Sequence, residues 1–216
     1  MARRLLVAVT ALAVALATSA SLALAGANSG HKLAIHVKAH PTSCTSGYPT
    51  FTNCNQIIYT YVGSGDVDVM PVFYDLAEYT VNELGLTWPE GAWGSGSWVR
   101  CRGDLAVGTI NHSGGAGYPN DVSGTAIAWS TCQRKWCSTP GYLWLSVSTT
   151  GTVCPAPDPP TGDYGVVDCA AEPGPYYDYP ERTYCAGIFG AVGDDPCNQP
   201  GAANSSWGEI KSMFGR

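Results

Sequence analysis

The nine cysteines offer the most chemistry in this sequence, because thiols bind metals, carry out redox reactions or form disulfides. They are Cys44, Cys54, Cys101, Cys132, Cys137, Cys154, Cys169, Cys185 and Cys197. Zinc sites usually show tight Cys-x-x-Cys pairs, whereas the closest spacing here is Cys132 to Cys137. We therefore expect disulfides formed in an oxidising compartment. Since nine is odd, we expect one cysteine to have no partner within the chain.

Two pairings are favoured by the sequence. Cys44 and Cys54 flank a short, turn-rich loop, and Cys101 and Cys132 each end an apolar, strand-like run. Cys44–Cys54 and Cys101–Cys132 are therefore the predicted pairs. The rest of the connectivity stays open, because spacing alone does not fix which cysteines join.

The other reactive side chains form no catalytic or cofactor motif. We expect His36 and His40 to point to the same side of a strand. A solvated strand face is a better explanation of this pair than a metal site. Acidic residues cluster in two turn-like segments, Asp66/Asp68 and Asp194/Asp195. Neither has the spacing of an EF-hand, and the sequence contains no Gly-x-Ser-x-Gly, His-Glu-x-x-His or P-loop motif. We predict no catalytic residue, no cofactor and no metal.

Aromatic residues are the most suggestive feature for ligand binding. Seven Trp and twelve Tyr in an acidic chain could supply a sugar-stacking face, since aromatic rings combine a large apolar area with a polar handle. Strand-like runs contain Trp88, Trp129 and Trp144, which we therefore assign to the core. Trp93 lies in a Gly-rich loop and is the predicted ligand contact.

Apolar residues alternate with polar residues along much of the chain, which predicts β-strands. We therefore expect strands to position these side chains. Leu33, Ile35 and Val37 alternate with Ala34, His36 and Lys38, which predicts a half-buried first strand. Further strand-like runs lie at 56–62, 67–74, 79–88, 98–101, 104–110, 124–131, 142–148, 151–154 and 163–169. Pro71 predicts an edge strand or a bulge, and the Pro- and Tyr-rich stretch 172–182 predicts a long loop. The pattern indicates an all-β fold, an antiparallel β-sandwich of about nine strands stapled by disulfides.

The N-terminus predicts export. Residues 1–25 combine Arg3 and Arg4 with an apolar run that ends in Ala23-Leu24-Ala25, as in a cleaved signal peptide. Removing this segment changes the formal net charge from −6 to −8, which argues against nucleic acid as a partner. We expect a secreted or cell-surface protein with no membrane span after cleavage, and a single β-sandwich domain over residues 26–199.

The last segment, residues 200–216, has the pattern of a spacer followed by a short amphipathic helix. Ser206 and Glu209 have the spacing of a capping box. Four apolar residues share one helical face: Trp207, Ile210, Met213 and Phe214. Because so short a helix needs a surface to pack on, it either docks on its own domain or serves as a sorting or docking tag for export or anchoring machinery.

Several stretches resemble an uncharacterised family of secreted proteins from uncultured bacteria. They are Val72–Tyr79 (VFYDLAEY), Gly85–Pro89 (GLTWP), Cys185–Ile188 (CAGI) and Gly193–Cys197 (GDDPC). The ending from Ser206 resembles a C-terminal segment (Trp-Gly-x-Ile-Lys) of such proteins, although an extra Gly215 precedes the final Arg216. This family implies no activity. The strand order also resembles cohesin-type β-sandwiches, a likeness of topology that implies no dockerin partner.

Three hypotheses about function follow from these features. The first is a non-catalytic, extracytoplasmic interaction or structural module of a bacterium, with an unknown protein or glycan ligand. The second is a carbohydrate-binding module that uses loop aromatics. The third is an extracellular hydrolase whose catalytic residues leave no local motif.

Overall fold

The computed structural model describes residues 26–41, 50–89, 93–99, 106–113, 122–170 and 177–198. The predicted signal peptide (1–25) and the predicted C-terminal helix (within 200–216) lie outside these ranges. Within them, regular structure consists of strands and one 3-10 turn at Cys54–Gln56.

Fourteen strands are present in the described residues. They are β1 (Lys32–Ala39), β2 (Thr60–Tyr61), β3 (Gly65–Tyr74), β4 (Tyr79–Thr87), β5 (Trp93–Val99), β6 (Ala106–Ser113), β7 (Val122–Gln133), β8 (Cys137–Ser138), β9 (Tyr142–Val147), β10 (Gly151–Ala156), β11 (Gly165–Val167), β12 (Tyr177–Asp178), β13 (Arg182–Tyr184) and β14 (Ala186–Ile188). The prediction of an all-β fold is confirmed for the described residues, with more and shorter strands than the nine expected.

Two sheets form the domain. The first sheet has the order β13-β1-β3-β9-β5, and β8 pairs with the end of β3. In the second sheet, β4 pairs with β7 on one side and with β10 and β11 on the other; β6, β12, β14 and β2 extend it outward. Most pairs are antiparallel, and the exceptions are β1 with β13 and β14 with β2.

One hydrophobic core lies between the sheets. Burial alternates along β9 from Leu143 to Val147, since Leu143, Leu145 and Val147 are buried while Ser146 is exposed. The main contributors from the two sheets are Leu33, Ile35, Val37, Val67, Val69, Phe73, Leu84, Leu86, Ile127, Trp129 and Val153. Burying such side chains supplies about 1.5–3 kcal/mol each.

Part of the outer face of the first sheet, around the middle of β1 and the end of β3, is also covered. Phe51 and Ile57 pack there against side chains of three strands of this sheet, which are Ala34 of β1, Val72 and Tyr74 of β3, and Tyr184 of β13. The prediction of a half-buried β1 is therefore wrong, because residues 32–37 are buried on both faces. The run 56–62 is a strand only at Thr60–Tyr61; the preceding residues serve as cover.

Pro71 does not mark an edge strand. β3 is central, with β1 paired along 67–74 and β9 along 65–69. On the side of β3 that faces β9, pairing with β9 stops after Val69, and pairing with β8 begins at Phe73. Pro71 lies in that interruption, where a residue without an N–H costs the ladder least.

Three disulfides join distant parts of the chain, and both predicted pairings are wrong. Cys54 pairs with Cys197 and not with Cys44, since the last described segment passes the end of β3, where the Tyr74 hydroxyl donates to the carbonyl of Pro196 (2.9 Å). Thus the sheet, and not sequence proximity, brings these thiols together.

The partner of Cys132 is Cys169 and not Cys101. Cys132 lies near the end of β7, and Cys169 follows β11; these two strands flank the first half of β4 from opposite sides. The third bridge, Cys154–Cys185, links β10 to the segment before β14. Cys44 and Cys101 lie outside the described residues.

Candidate binding site

Three tyrosines form an aromatic cluster beside the second sheet. The ring of Tyr179 lies 5.0 Å from that of Tyr177 and 6.2 Å from that of Tyr164, in tilted and edge-to-face arrangements. Tyr179 is 55% exposed, whereas the other two are half-buried. The cluster therefore presents aromatic surface to solvent from a supported position.

Carboxylates hold the tyrosine hydroxyls. Tyr179 donates to Asp163 Oδ1 at 2.8 Å, and Tyr177 donates to Glu83 Oε2 at 3.4 Å. Thr161 also donates to Glu83, through Oγ1 at 2.5 Å. The bond to Asp163 raises the pKa of Tyr179, while burial and the charge of Glu83 raise the pKa of Tyr177. Both hydroxyls therefore stay protonated at physiological pH and act as donors.

The loop between β10 and β11 places Asp163 and Thr161 next to β4. Its ends are closed by two backbone bonds, from Asp158 N to the carbonyl of Asp163 (2.6 Å) and from Gly162 N to the carbonyl of Asp158 (2.8 Å). Gly162 has a φ of 77°, a conformation that glycine adopts without a steric cost. The loop is thus a closed turn that fixes its carboxylate beside the tyrosines.

Two opposed glycines let this loop lie flat on the second sheet. Gly85 of β4 faces Gly124 of β7 across the ladder. A Cβ on Gly124 would lie 1.7 Å from Asp158 Oδ1, and one on Gly85 would lie 2.2 Å from the carbonyl oxygen of Pro157. Both positions must therefore be glycine for the segment 157–158 to keep this close approach.

Asp158 is fully enclosed beneath the loop, at 0% exposure. Burial, followed by the neighbouring charge of Glu83 and a hydrogen bond with it, raises the pKa of Asp158 from 3.8 to about 7. Because the carboxyl of Asp158 has no access to solvent, it is not positioned to exchange protons with a substrate.

A second polar cluster lies on the outer face of the first sheet, at the ends of β1 and β3. His40 Nδ1 lies 2.8 Å from Asp68 Oδ1, and its ring stacks on Trp144 at 5.4 Å. The assignment of Trp144 to the core is wrong, because its position on β9 alternates with the buried Leu143 and Leu145 and so faces outward. Trp88 and Trp129 are in the core, as expected.

The sequence predicted that His36 lies on a solvated strand face with His40. This prediction is wrong for His36, because the outer layer covers it. It is buried against Phe51 and accepts a hydrogen bond from the amide of Ile58 (3.0 Å). Burial lowers the pKa of His36 to about 4. The imidazole is therefore neutral at physiological pH and acts as an acceptor that fixes the covering segment.

One group has the composition of a metal site. Glu78 lies with Cys132 and Cys169, but the two sulfurs form a disulfide and offer no thiolate. Among the residues that the structure describes, no other trio of potential ligands comes together.

Two surface clefts of about 420 Å³ each are also present. One is lined by Arg182, Tyr184 and Asp195, and the other by Phe51, Lys135 and Trp136. The half-buried Cys137 also lines the second cleft, and its Sγ lies 3.1 Å from the carbonyl oxygen of Phe51.

Trp93, the predicted ligand contact, is buried. It is 5% exposed, and its indole donates to the carbonyl of Thr149 at 2.9 Å. The prediction is wrong because residues 93–99 form β5 and not a loop. The predicted tag residues Trp207, Ile210, Met213 and Phe214 lie outside the described residues.

Sequence reasoning missed the tyrosines. The segment 172–182 is not a loop throughout, because Tyr177 and Asp178 form β12 against β11. A usable signal was present in the run Tyr176-Tyr177-Asp178-Tyr179, where three tyrosines lie next to one acid.

No protein-family model matches the chain, and no curated protein sequence matches it. The structure is similar to a type II cohesin domain from the cellulosome of Acetivibrio cellulolyticus, with a TM-score of 0.47 and 8% identity over 74% of this chain and 95% of that one. It is similar to the seventh ScaB type I cohesin of Pseudobacteroides cellulosolvens, with a TM-score of 0.45 and 11% identity over 75% and 92%. A cohesin module from a Clostridium perfringens family 33 glycoside hydrolase has a TM-score of 0.40 and 10% identity over 72% and 94%. This likeness identifies no family.

No helix among the described residues is long and apolar enough to cross a membrane.

Proposed function

We propose that the chain is a non-catalytic interaction module, secreted or held at the cell surface, that binds an arginine-bearing segment of a partner protein on its tyrosine cluster. The observation that carries this proposal is the exposed Tyr179, fixed by its bond to Asp163 and supported by Tyr177 and Tyr164. Tyrosines held in one conformation lose little entropy on binding and are typical of protein interfaces.

The charge around the cluster supports a cationic partner. Glu83 and Asp163 both lie at the tyrosine hydroxyls, and the chain is acidic as a whole. A guanidinium group stacks on aromatic faces and pairs with carboxylates at the same time, which an ammonium group does less well. Arginine is therefore the side chain that this surface fits best.

Two observations support the location and the lack of catalysis. Three disulfides stabilise the described part of the chain, as is typical of proteins in oxidising compartments. Asp158, the carboxyl whose pKa lies near 7, is enclosed and does not face a cleft.

Calorimetric titration with a hexa-arginine peptide and a hexaserine peptide tests the proposal. We expect hexa-arginine to bind and hexaserine not to bind. Tyr179→Ala and Asp163→Asn should each weaken binding about tenfold, since the lost contacts contribute about 1.4 kcal/mol. Asp66→Asn, on the other sheet, is the charge-matched control and should change the affinity less than about twofold. Equal effects of Asp163→Asn and Asp66→Asn would show non-specific attraction and contradict the proposal.

The segment with Trp207, Ile210, Met213 and Phe214 stays a predicted sorting or docking tag. Deletion of residues 205–216 tests this prediction, and we expect the protein to move from the cell fraction to the medium. An unchanged distribution would contradict it.

A further inference from the structure

The cluster of His40, Asp68 and Trp144 has the composition of a ligand subsite. Asp68 and Trp144 are directly opposite each other on β3 and β9, and His40 covers both through its bond to Asp68 and its stacking on the indole. The side chain of Asp68 is fully buried, whereas that of His40 is 31% exposed. The imidazole is therefore the member of the cluster that has room to turn toward solvent.

Two buried polar atoms in this cluster have no hydrogen-bond partner among the described residues. One is Asp68 Oδ2, an acceptor, and the other is Trp144 Nε1, a donor. Buried polar groups in folded proteins are nearly always paired, so each of these two atoms calls for a partner. A group that both donates and accepts would satisfy the two atoms together.

A hydroxyl has this property, since it donates one hydrogen and accepts through two lone pairs. Side chains directly opposite each other in an antiparallel pair have Cβ atoms about 4.5–5.5 Å apart, so Asp68 and Trp144 are immediate neighbours on this face of the sheet. We infer that the outer face of the first sheet carries a saccharide subsite, in which a sugar hydroxyl donates to Asp68 Oδ2 and accepts from Trp144 Nε1 after His40 turns aside.

The surroundings favour a saccharide over a single hydroxyl of a peptide. Asp66 and Ser146 are exposed, lie opposite each other, and form the next row on the same face of the sheet. They offer partners to the neighbouring hydroxyls that a pyranose carries and that a serine side chain lacks. The indole of Trp144, freed from His40, provides the flat apolar surface on which a sugar ring stacks.

The indole N–H of Trp144 is a direct reporter for this subsite. In protein labelled with 15N-tryptophan, its signal is assigned as the one absent from the spectrum of Trp144→Phe. Titration with cellobiose, xylobiose, mannobiose and chitobiose should shift this signal saturably for at least one disaccharide. Asp68→Asn, followed by the same signal, and Trp144→Phe, followed by calorimetric titration with that disaccharide, should each weaken the binding about tenfold, as expected for one lost buried hydrogen bond. Thr152→Ala, an exposed substitution on the second sheet, serves as the control and should leave the affinity unchanged.

Three outcomes would overturn the inference. The first is no shift with any of the four disaccharides. The second is a shift that Asp68→Asn leaves unchanged while thermal unfolding shows the variant to be folded. The third is an indole N–H that exchanges magnetisation with a trapped water and responds to no saccharide. Tyr179→Ala should leave saccharide binding unaltered, so failure here is separable from failure of the tyrosine surface.

Discussion

The enclosed carboxyl of Asp158 makes the stability of the domain depend on pH in a direction opposite to that of most acidic residues. Its pKa is raised from 3.8 to about 7, first by burial and then by Glu83. Between these two values the unfolded chain releases the proton and the folded chain keeps it. Stability due to this group therefore falls as pH rises from about 4 to 7 and is constant outside that window.

The size of the effect follows from the two pKa values. Each pKa unit corresponds to about 1.4 kcal/mol, so a change from 3.8 to about 7 makes ionised Asp158 cost about 4 kcal/mol in the folded state. Asp158→Asn keeps the shape of the side chain but cannot ionise. The free energy of unfolding of the variant should equal that of the wild type near pH 4 and exceed it by up to about 4 kcal/mol at about pH 8.

Urea unfolding of both proteins in steps of about one pH unit from about pH 4 to pH 8, at constant ionic strength, measures this difference. Subtracting the two curves cancels the titrations that both proteins share, including that of His36. Glu83→Gln removes the second cause of the raised pKa of Asp158. The free energy of unfolding of this variant, relative to the wild type, should also rise with pH, but by less than that of Asp158→Asn. A difference between Asp158→Asn and wild type that is flat or falls with pH would refute the reasoning.

Further predictions concern the core, a disulfide and a histidine. Trp93→Ala should lower the free energy of unfolding by about 3–5 kcal/mol, measured by urea denaturation; a loss below about 0.5 kcal/mol would contradict its burial. Replacing Cys54 and Cys197 together by Ser opens a bridge with a sequence separation of 143 and should cost about 5 kcal/mol in the chain-entropy account; an unaltered Tm would argue against the pairing. His36 should titrate near pH 4 by NMR, so its neutral form stabilises the fold above about pH 6.5 and this stability is lost as pH falls toward 4; an ordinary pKa would contradict its position.

Alternation predicted strands well where one face of a strand is buried in the central core. β4 and β9 follow this rule, and their predicted bounds differ from the observed ones by one residue. The rule failed where a second layer covers the sheet. Ile57 is buried in that outer layer, and burial of a β-branched residue does not by itself require pairing with a strand.

The misassigned β5 has a different cause. Its glycines indicated a loop, yet the pairing between β5 and β9 shifts register between Ser95 and Trp98. Glycine inside a strand often marks such an irregularity. The sequence alone does not separate a Gly-rich loop from a bulged strand, and the exposure predicted for Trp93 depended on that distinction.

The candidate site could not be predicted for a further reason. Glu83 lies on β4 and Asp158 follows β10, and the two meet because Gly85 and Gly124 admit the loop. Each glycine taken singly indicates a turn or a weak strand position. The two glycines leave room for the loop because they lie opposite each other on paired strands. That pairing depends on strand register, which composition does not specify.

The central claim is that a cationic partner binds on the tyrosine cluster, and ring-selective NMR tests it most directly. In protein labelled with 13C in the tyrosine rings, hexa-arginine should shift the signals of Tyr177 and Tyr179 saturably and leave those of Tyr59 and Tyr61 in place. Uniform small shifts of all four tyrosines, or saturable shifts confined to Tyr59 and Tyr61, would contradict the account.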